Sequence, residues 1–437
     1  MMFWIEFAVL LVIIFWGIKV GGVFLTLAGG IGVFIFTFIF KAPIADPPLV
    51  VLRIILCVVL AGGAMQAAGG IEYLVALAER ILRKHPKSIT IFAPLVSWVF
   101  VFCCGTGHII WSLLPIINEI AIENDVRPER PIAASIVSSQ NAICATPLSA
   151  ATAALIGFLA EYASINLISL LLVIIPATLC GSVAAGIFMY RKGRELADDP
   201  EFRRRVAAGE FAHEETKGNK EKAIDFSHFT RGAKLSVGVF IAGMIVIVLL
   251  GTIPALRPML VDGTILGMTD IIQIFMLMAA AVICLTMDAK PEDIMKTQVF
   301  QSGVFAAVVV IGLCWVVNIF IGAQATYLTD VISKFTDQYP WIFIIACYLV
   351  ANITTSQGST TAIVIPLGIA LGISVPMLVA GWVLVGSHFL IPAASETLAA
   401  PSFDTAGTTK VMSFTLPSIV MALVDCGVAF LLGSVIL

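Results

Sequence analysis

Residues 355–366 read "TSQGSTTAIVIP", and six of the first seven carry a hydroxyl or a side-chain amide. An apolar run and a proline follow at once. The rest of the chain avoids water: of its 437 residues, 59% are hydrophobic and 12% charged, and mean hydropathy is +1.04. Continuous apolar runs recur, for example at 3–18, 22–40, 235–254 and 412–437. At about 1.5 Å rise per residue, runs near 20 residues match the hydrocarbon thickness of a bilayer. Roughly ten to twelve such segments predict an all-α, polytopic transmembrane helical protein embedded in lipid. The runs are unbroken rather than alternating, which excludes a transmembrane β-barrel. The polar stretch at 355–361 therefore falls where hydrogen-bonding groups are most costly, and its purpose decides the architecture.

Composition narrows the function. The opening "MMFWIEFAVLLVIIFWGIKVGG" has no basic leader and no small-residue cleavage site, so it reads as a first span. A net charge of −3 argues against a nucleic-acid partner. Nine cysteines (57, 103, 104, 144, 180, 284, 314, 347 and 426) lie mostly within apolar segments and show no metal-ligand spacing. They read as small buried hydrophobes, and neither a metal nor a cofactor is expected. No nucleophile motif or phosphate-binding loop is present, so an enzyme is not expected.

One segment breaks the apolar pattern. Residues 191–234, beginning "RKGRELADDPEFRRRVAAGEF", are dense in charge of both signs and read as a solvated loop with one short helix near 199–208. Arg191, Lys192 and Arg194 precede it, and Arg231 and Lys234 close it, which places it in the cytoplasm. "ERILRKHPK" at 79–87 is a second basic cluster expected on the same side. The stretch "GGIEYLVALAERILRKHPK" reads either as an interfacial amphipathic helix or as the tail of a span. The loop divides the chain into a first membrane repeat, 1–190, and a second, 235–437.

The two halves carry similar polar motifs. "GTGHIIWSLLP" runs 105–115 and "QGSTTAIVIP" runs 357–366, with Gly107–Pro115 and Gly358–Pro366 equally spaced. A second pair is "SSQNAICATPLSAA" at 138–151 and "GSHFLIPAASETLAAP" at 386–401. This predicts two inverted repeats with broken helices or re-entrant hairpins. At a break, free N–H groups and the helix dipole favour an anion, and freed carbonyls can hold a cation. None of the four motifs contains Arg or Lys. A small anion would then be held by dipoles, hydroxyls and amides, with His108 or His388 as possible additions. The candidate substrate-binding residues are Gly105, Thr106, Gly107, His108, Ser139, Gln140, Asn141, Thr146, Thr355, Ser356, Gln357, Gly358, Ser359, Ser395 and Thr397. Glu396 and Asp404 flank the last motif, Asp404 either as an intramembrane acid or in a wet loop. The glycine pairs 21/22, 29/30, 62/63 and 69/70 are assigned to helix packing. A pore lined by Ser and Thr is the competing class.

The residues resemble the anaerobic C4-dicarboxylate (Dcu) transporters. The likeness runs through "QAAGGIEYL" at 66–74, "AERILRKHPKSITIFAP" at 78–94, "CGTGH" at 104–108, "VRPERPIAAS" at 126–135, "YPW" at 339–341 and "FDTAGTT" at 403–409. The order "GTGH", "LLPII", "RPERP" is most similar to the fumarate/succinate antiporter branch. The resemblance implies an inner-membrane carrier of fumarate, succinate, malate and aspartate, working by exchange or uptake. A more remote likeness to the ion-transporter superfamily implies an elevator motion. By that likeness residues 105–108 form one hairpin tip, residues 355–358 the other, and Ser139, Gln140, Asn141 and Thr146 a neighbouring broken helix. Three features depart from the family: "LIPAASET" at 390–397, Thr355 before "SQ" with no Lys in "LVANITTSQ", and "GSTT" after it. They keep open a related small carboxylate as substrate, or a regulatory co-sensor with little transport. They also set a sensor-kinase partnership in doubt. A homo-oligomer is left open.

Overall fold

The computed structural model describes the chain except for residues 1, 21–22, 48, 106, 108–109, 148, 164, 166, 208–225, 254–255, 288, 325–326, 328–340, 391–395 and 398–399. The described residues are overwhelmingly helical. The first half contains α1 (Met2–Val20), α2 (Phe24–Phe34), α3 (Leu49–Ala67), α4 (Gly70–Lys84) and α5 (Ile89–Cys104). It continues with α6 (Ile110–Glu123), α7 (Glu129–Ala145), α8 (Ala150–Ala163) and α9 (Leu167–Met189). A short α10 (Pro200–Ala207) lies in the charged segment, as its sequence predicts. The second half contains α11 (Arg231–Thr252), α12 (Met268–Thr286), α13 (Gln298–Ala323) and α14 (Ile342–Thr354). It ends with α15 (Gln357–Ala370), α16 (Val375–Trp382) and α17 (Thr415–Ile436).

Among the described residues, six helical segments are long and apolar enough to cross a membrane, one of them running through α7 and α8, and α3 with α4 forms a further broken pair bent by 71°. Five shorter apolar helices, including α14, α15 and the α16 segment, account for other apolar runs of the sequence. Among the described residues, some apolar runs are carried by these shorter or bent helices rather than by one full-length helix. The protein is thus a multi-pass α-helical membrane protein. Gly69, at φ 82°, provides the turn between α3 and α4. Residues Gly70–Lys84 of "GGIEYLVALAERILRKHPK" thus form a helix set off from α3 by the bend.

Each half contributes to two packed groups. In one, α1, α2 and α3 pack against α11, α12 and α13. In the other, α5, α7 and α9 pack together, α9 lies along α17, and α16 packs on both α14 and α17. α8 and α15 touch each other and reach across to α3 and α13. With no water in the hydrocarbon region, tight helix contact comes from small residues. At the α2–α13 crossing, a Cβ on Gly29 would lie 2.4 Å from the Gly312 backbone, and one on Gly312 2.5 Å from the Thr26 carbonyl. Gly62 and Gly63 meet Val299 and Ile294 in the same manner, whereas Gly30 faces open space and packs nothing. Gly21 and Gly22 lie outside the described residues.

The charged sequences gather at one end. The Arg80 guanidinium sits 5.5 Å from the Phe226 ring centroid, so the basic end of α4 meets the end of the charged segment. The beginning of that segment is docked rather than fully solvated. Leu196 and Phe202 are buried with Ile122 and Ala406. Arg127 pairs with Glu129 at 2.7 Å and with Asp199. Burial pulls the Arg127 guanidinium down, but its bonds to these two carboxylates more than offset this and leave its pKa raised. Arg130 pairs with Glu195 at 3.1 Å and donates to the Lys192 carbonyl at 2.8 Å. Asp404 is buried and accepts from the Gly407 and Thr409 amides and the Thr408 hydroxyl. It organises the "FDTAGTT" loop and is buried there rather than open to water. The Thr408 hydroxyl and Ser413 hydroxyl in turn bind Glu129.

The α2–α13 crossing gives a direct check on this packing. Gly312→Ala forces a Cβ into the Thr26 backbone and should cost about 1–3 kcal/mol. A lower thermal midpoint in detergent is expected, and an unchanged midpoint contradicts the close approach.

Candidate functional site

The two halves break their helices in the same manner. α5 ends on Gly105 at φ 70°, and α14 ends on Thr355 at φ 48°, both left-handed. Each break is followed by a helix with an internal proline, Pro115 in α6 and Pro366 in α15. Glycine adopts that backbone freely, but β-branched Thr355 is strained by it. Ser356 then caps α15, its hydroxyl accepting from the Ser359 amide at 3.3 Å. α7 ends on Thr146 in an extended conformation, and α8 restarts at Ala150. In the second half, α16 continues through the tight turn Val383–Gly386 into non-helical residues.

All four polar motifs meet at Gln140. A Cβ on Gly107 would lie 2.6 Å from Gln140 Nε2. Gln357 Nε2 donates to the Gln140 carbonyl at 2.6 Å and lies 3.4 Å from Gln140 Oε1. A Cβ on Gly386 would lie 3.0 Å from Asn141 Cα and 3.1 Å from the Gln140 carbonyl. Gln140, Asn141 and Gln357 are buried. Gln140 Nε2, Gln357 Oε1 and Asn141 Oδ1 have no hydrogen-bond partner among the described residues. Buried amide atoms left unpaired cost roughly 1–3 kcal/mol each; Gln140 Nε2 is a donor free for an anionic ligand, whereas Gln357 Oε1 and Asn141 Oδ1 can only accept and call for a donor.

The other expected residues divide. Gly105, Thr355, Ser356 and Gly358 are half-buried at the two breaks, and Ser359, Thr146 and Thr397 are buried. Ser139 belongs to the motif, but its hydroxyl donates to the Ile136 carbonyl at 2.7 Å, within its own helix. Thr106, His108 and Ser395 lie outside the described residues, as do Tyr339 and Pro340 of "YPW". His388 is buried, with Nδ1 2.9 Å from the Val385 carbonyl and its ring stacked on Phe389. Two hydroxyls of "GSTT" are occupied. Thr360 donates to the Ser356 carbonyl at 2.7 Å, and Thr361 donates to that of Gln357 and accepts from Trp382 Nε1 at 2.8 Å.

Three contacts escape sequence reading. Asn352 Oδ1 accepts the Leu390 amide at 2.6 Å and ties α14 to the second-half break. Trp382 spans α16 to α15. Asn141 Nδ2 donates to the Thr178 carbonyl at 3.0 Å and to buried Asp425 Oδ1 at 3.3 Å. Asp425 does leave a sequence signal, as the one charged residue between 411 and 437. A cavity of about 510 Å³ lies elsewhere, lined by Asp46, Phe158, Tyr162, Asn318, Pro366 and Ala370. Ala370 is 13 residues beyond Gln357 along α15, or about 20 Å at helical rise.

The model of the anaerobic C4-dicarboxylate membrane transporter family matches residues 2–437. The chain belongs to this family. It is 34% identical to the Escherichia coli anaerobic C4-dicarboxylate transporter DcuB, over 98% of this chain and 97% of that one. It is 33% identical to the Helicobacter pylori C4-dicarboxylate transporter DcuA, over 99% of each. The fold resembles the crystal structure of the Alcanivorax borkumensis YdaH transporter, with a TM-score of 0.55 at 15% identity over 87% of this chain and 84% of that one. Within this family member, the four motifs converge without an Arg or Lys in any of them.

The strained turn is testable. Thr355→Gly should relieve left-handed strain of about 1–2 kcal/mol. A raised thermal midpoint is expected, and a lowered one contradicts the left-handed cap.

Proposed function

We propose that the protein is a secondary carrier of C4-dicarboxylates (fumarate, succinate, malate and aspartate) across the bacterial inner membrane, working by exchange or uptake. The observation that carries this reading is the meeting of four polar breaks at Gln140, in a chain of this family. The α15 N-terminus directs its free N–H groups and dipole toward the same region, which suits a carboxylate. Gln140 Nε2 supplies a further donor. Amide and dipole contacts hold a dianion less firmly than bidentate arginine, and a carrier must release its cargo.

The two chain halves act as inverted repeats in this reading, 1–190 and 235–437, with 191–234 in the cytoplasm. The group built from α1–α3 and α11–α13 serves as scaffold. The group that contains the breaks moves against it as an elevator, with α8 and α15 at the boundary. The occupied hydroxyls of Thr360 and Thr361 favour C4-dicarboxylates over a shifted carboxylate preference, because these added groups are used inside the protein.

Proteoliposomes loaded with succinate should take up labelled fumarate or aspartate by counterflow. Silence with every C4-dicarboxylate, alongside counterflow of another carboxylate, would reject the substrate and keep the class. Currents that neither saturate nor show counterflow would indicate a channel. Gln140→Ala and Gln357→Ala should each weaken apparent affinity by about 1.5–3 kcal/mol, roughly 10- to 150-fold, in protein that remains monodisperse. Normal affinity in both variants would remove this site.

A further inference from the structure

Asp425 sits in the middle of α17, fully buried between helices. Oδ1 accepts one hydrogen bond, from Asn141 Nδ2 at 3.3 Å, and Oδ2 has no partner among the described residues. α9 is notched to receive it: a Cβ on Gly181 would fall 1.8 Å from Oδ1 and 2.6 Å from Cγ. The carboxylate therefore occupies the volume of a missing side chain, next to the residue that follows Gln140. An acid within a membrane helix marks a proton or ion path by default, since an ionised carboxylate with one long hydrogen bond is poorly compensated there.

Among the described residues, no charged group of opposite sign pairs with Asp425. α9 contributes only the exposed Cys180 as a titratable residue, and α7 contributes Cys144, with Glu129 and Arg130 at its far end. On α17 itself, Cys426 follows Asp425 directly. α16, the Val383–Gly386 turn and the Val411–Phe414 turn carry no titratable side chain, and His388 follows the first of these turns.

We propose that Asp425 is a proton-binding site coupled to the dicarboxylate site through Asn141. This rests on the carrier reading given above. Protonation forms an O–H bond on the carboxylate, and the proton leaves to water when the site opens. An ionised Asp425 holds Asn141 Nδ2, and a neutral one loosens that hold. Asn141 and its neighbour Gln140 thereby gain or lose freedom to meet a substrate carboxylate. Linkage then requires that substrate shift proton affinity as the proton shifts substrate affinity.

The test uses purified full-length protein and pH-difference infrared spectroscopy. Wild type should show a carboxylic C=O band that titrates with pH, is absent in Asp425→Asn, and moves its midpoint by a pH unit or more when succinate is added. Retention of the band in D425N, or a midpoint indifferent to succinate, overturns the proposal, as does dependence on Na⁺ with no titrating band. Should D425N not fold, Asn141→Ala must shift the same band, and an unmoved band overturns the coupling. Counterflow by the wild type is scored separately. Its absence would reject the carrier reading, while the infrared band still reports on Asp425.

Discussion

The bond from the Gln357 amide, in the first turn of α15, to the Gln140 carbonyl, in the C-terminal part of α7, joins opposite halves of the chain. A bilayer offers no water to backbone groups freed at a break, so each break must be buried in protein or line a cavity. Here each break helps to bury the others. Gly107 and Gly386 lack side chains where Gln140 and Asn141 must approach. A side chain at Gly386 would press on the Asn141 and Gln140 backbone, and one at Gly107 would displace the Gln140 amide. The same arrangement leaves buried amide atoms with unmet bonding capacity, which supports the proposed site.

The rest of the molecule supports that crossing. α9 and α17 lie along one another and carry the second layer of polar contacts, through Thr178, Gly181 and Asp425. At the charged end, Arg127 and Arg130 fasten the α6–α7 turn to residues 195–199, and Glu129 fastens it to residues 408–413. The first half, the charged segment and the last loop are therefore tied together near the start of α7, the helix that carries Gln140. Conformational change must either carry this clamp as a unit or open it.

Much of this was legible in the sequence, for identifiable reasons. The polar clusters at 105–108 and 355–361 stood out against apolar surroundings, and their shared proline spacing matched the shared helix–break–helix geometry. Gln140 and Gln357 were named from their motifs. What stayed hidden depends on which surface lies across from which. Periodicity could not show that Gly386 faces Asn141, or that the charged segment docks Leu196 and Phe202. Nor could composition show where a hydroxyl is used. Thr360, Thr361 and Ser139 looked available but are bonded largely to their own helices. Asp425 leaves only a faint mark, because one acid barely alters the hydropathy of a 22-residue apolar helix.

A structure determined with succinate bound tests the central claim most directly. A substrate carboxylate should lie within hydrogen-bonding reach of Gln140 Nε2 and of the N-terminal amides of α15. Succinate in the cavity near Asp46, Asn318 and Ala370, with the Gln140–Gln357 bond unchanged, would contradict it.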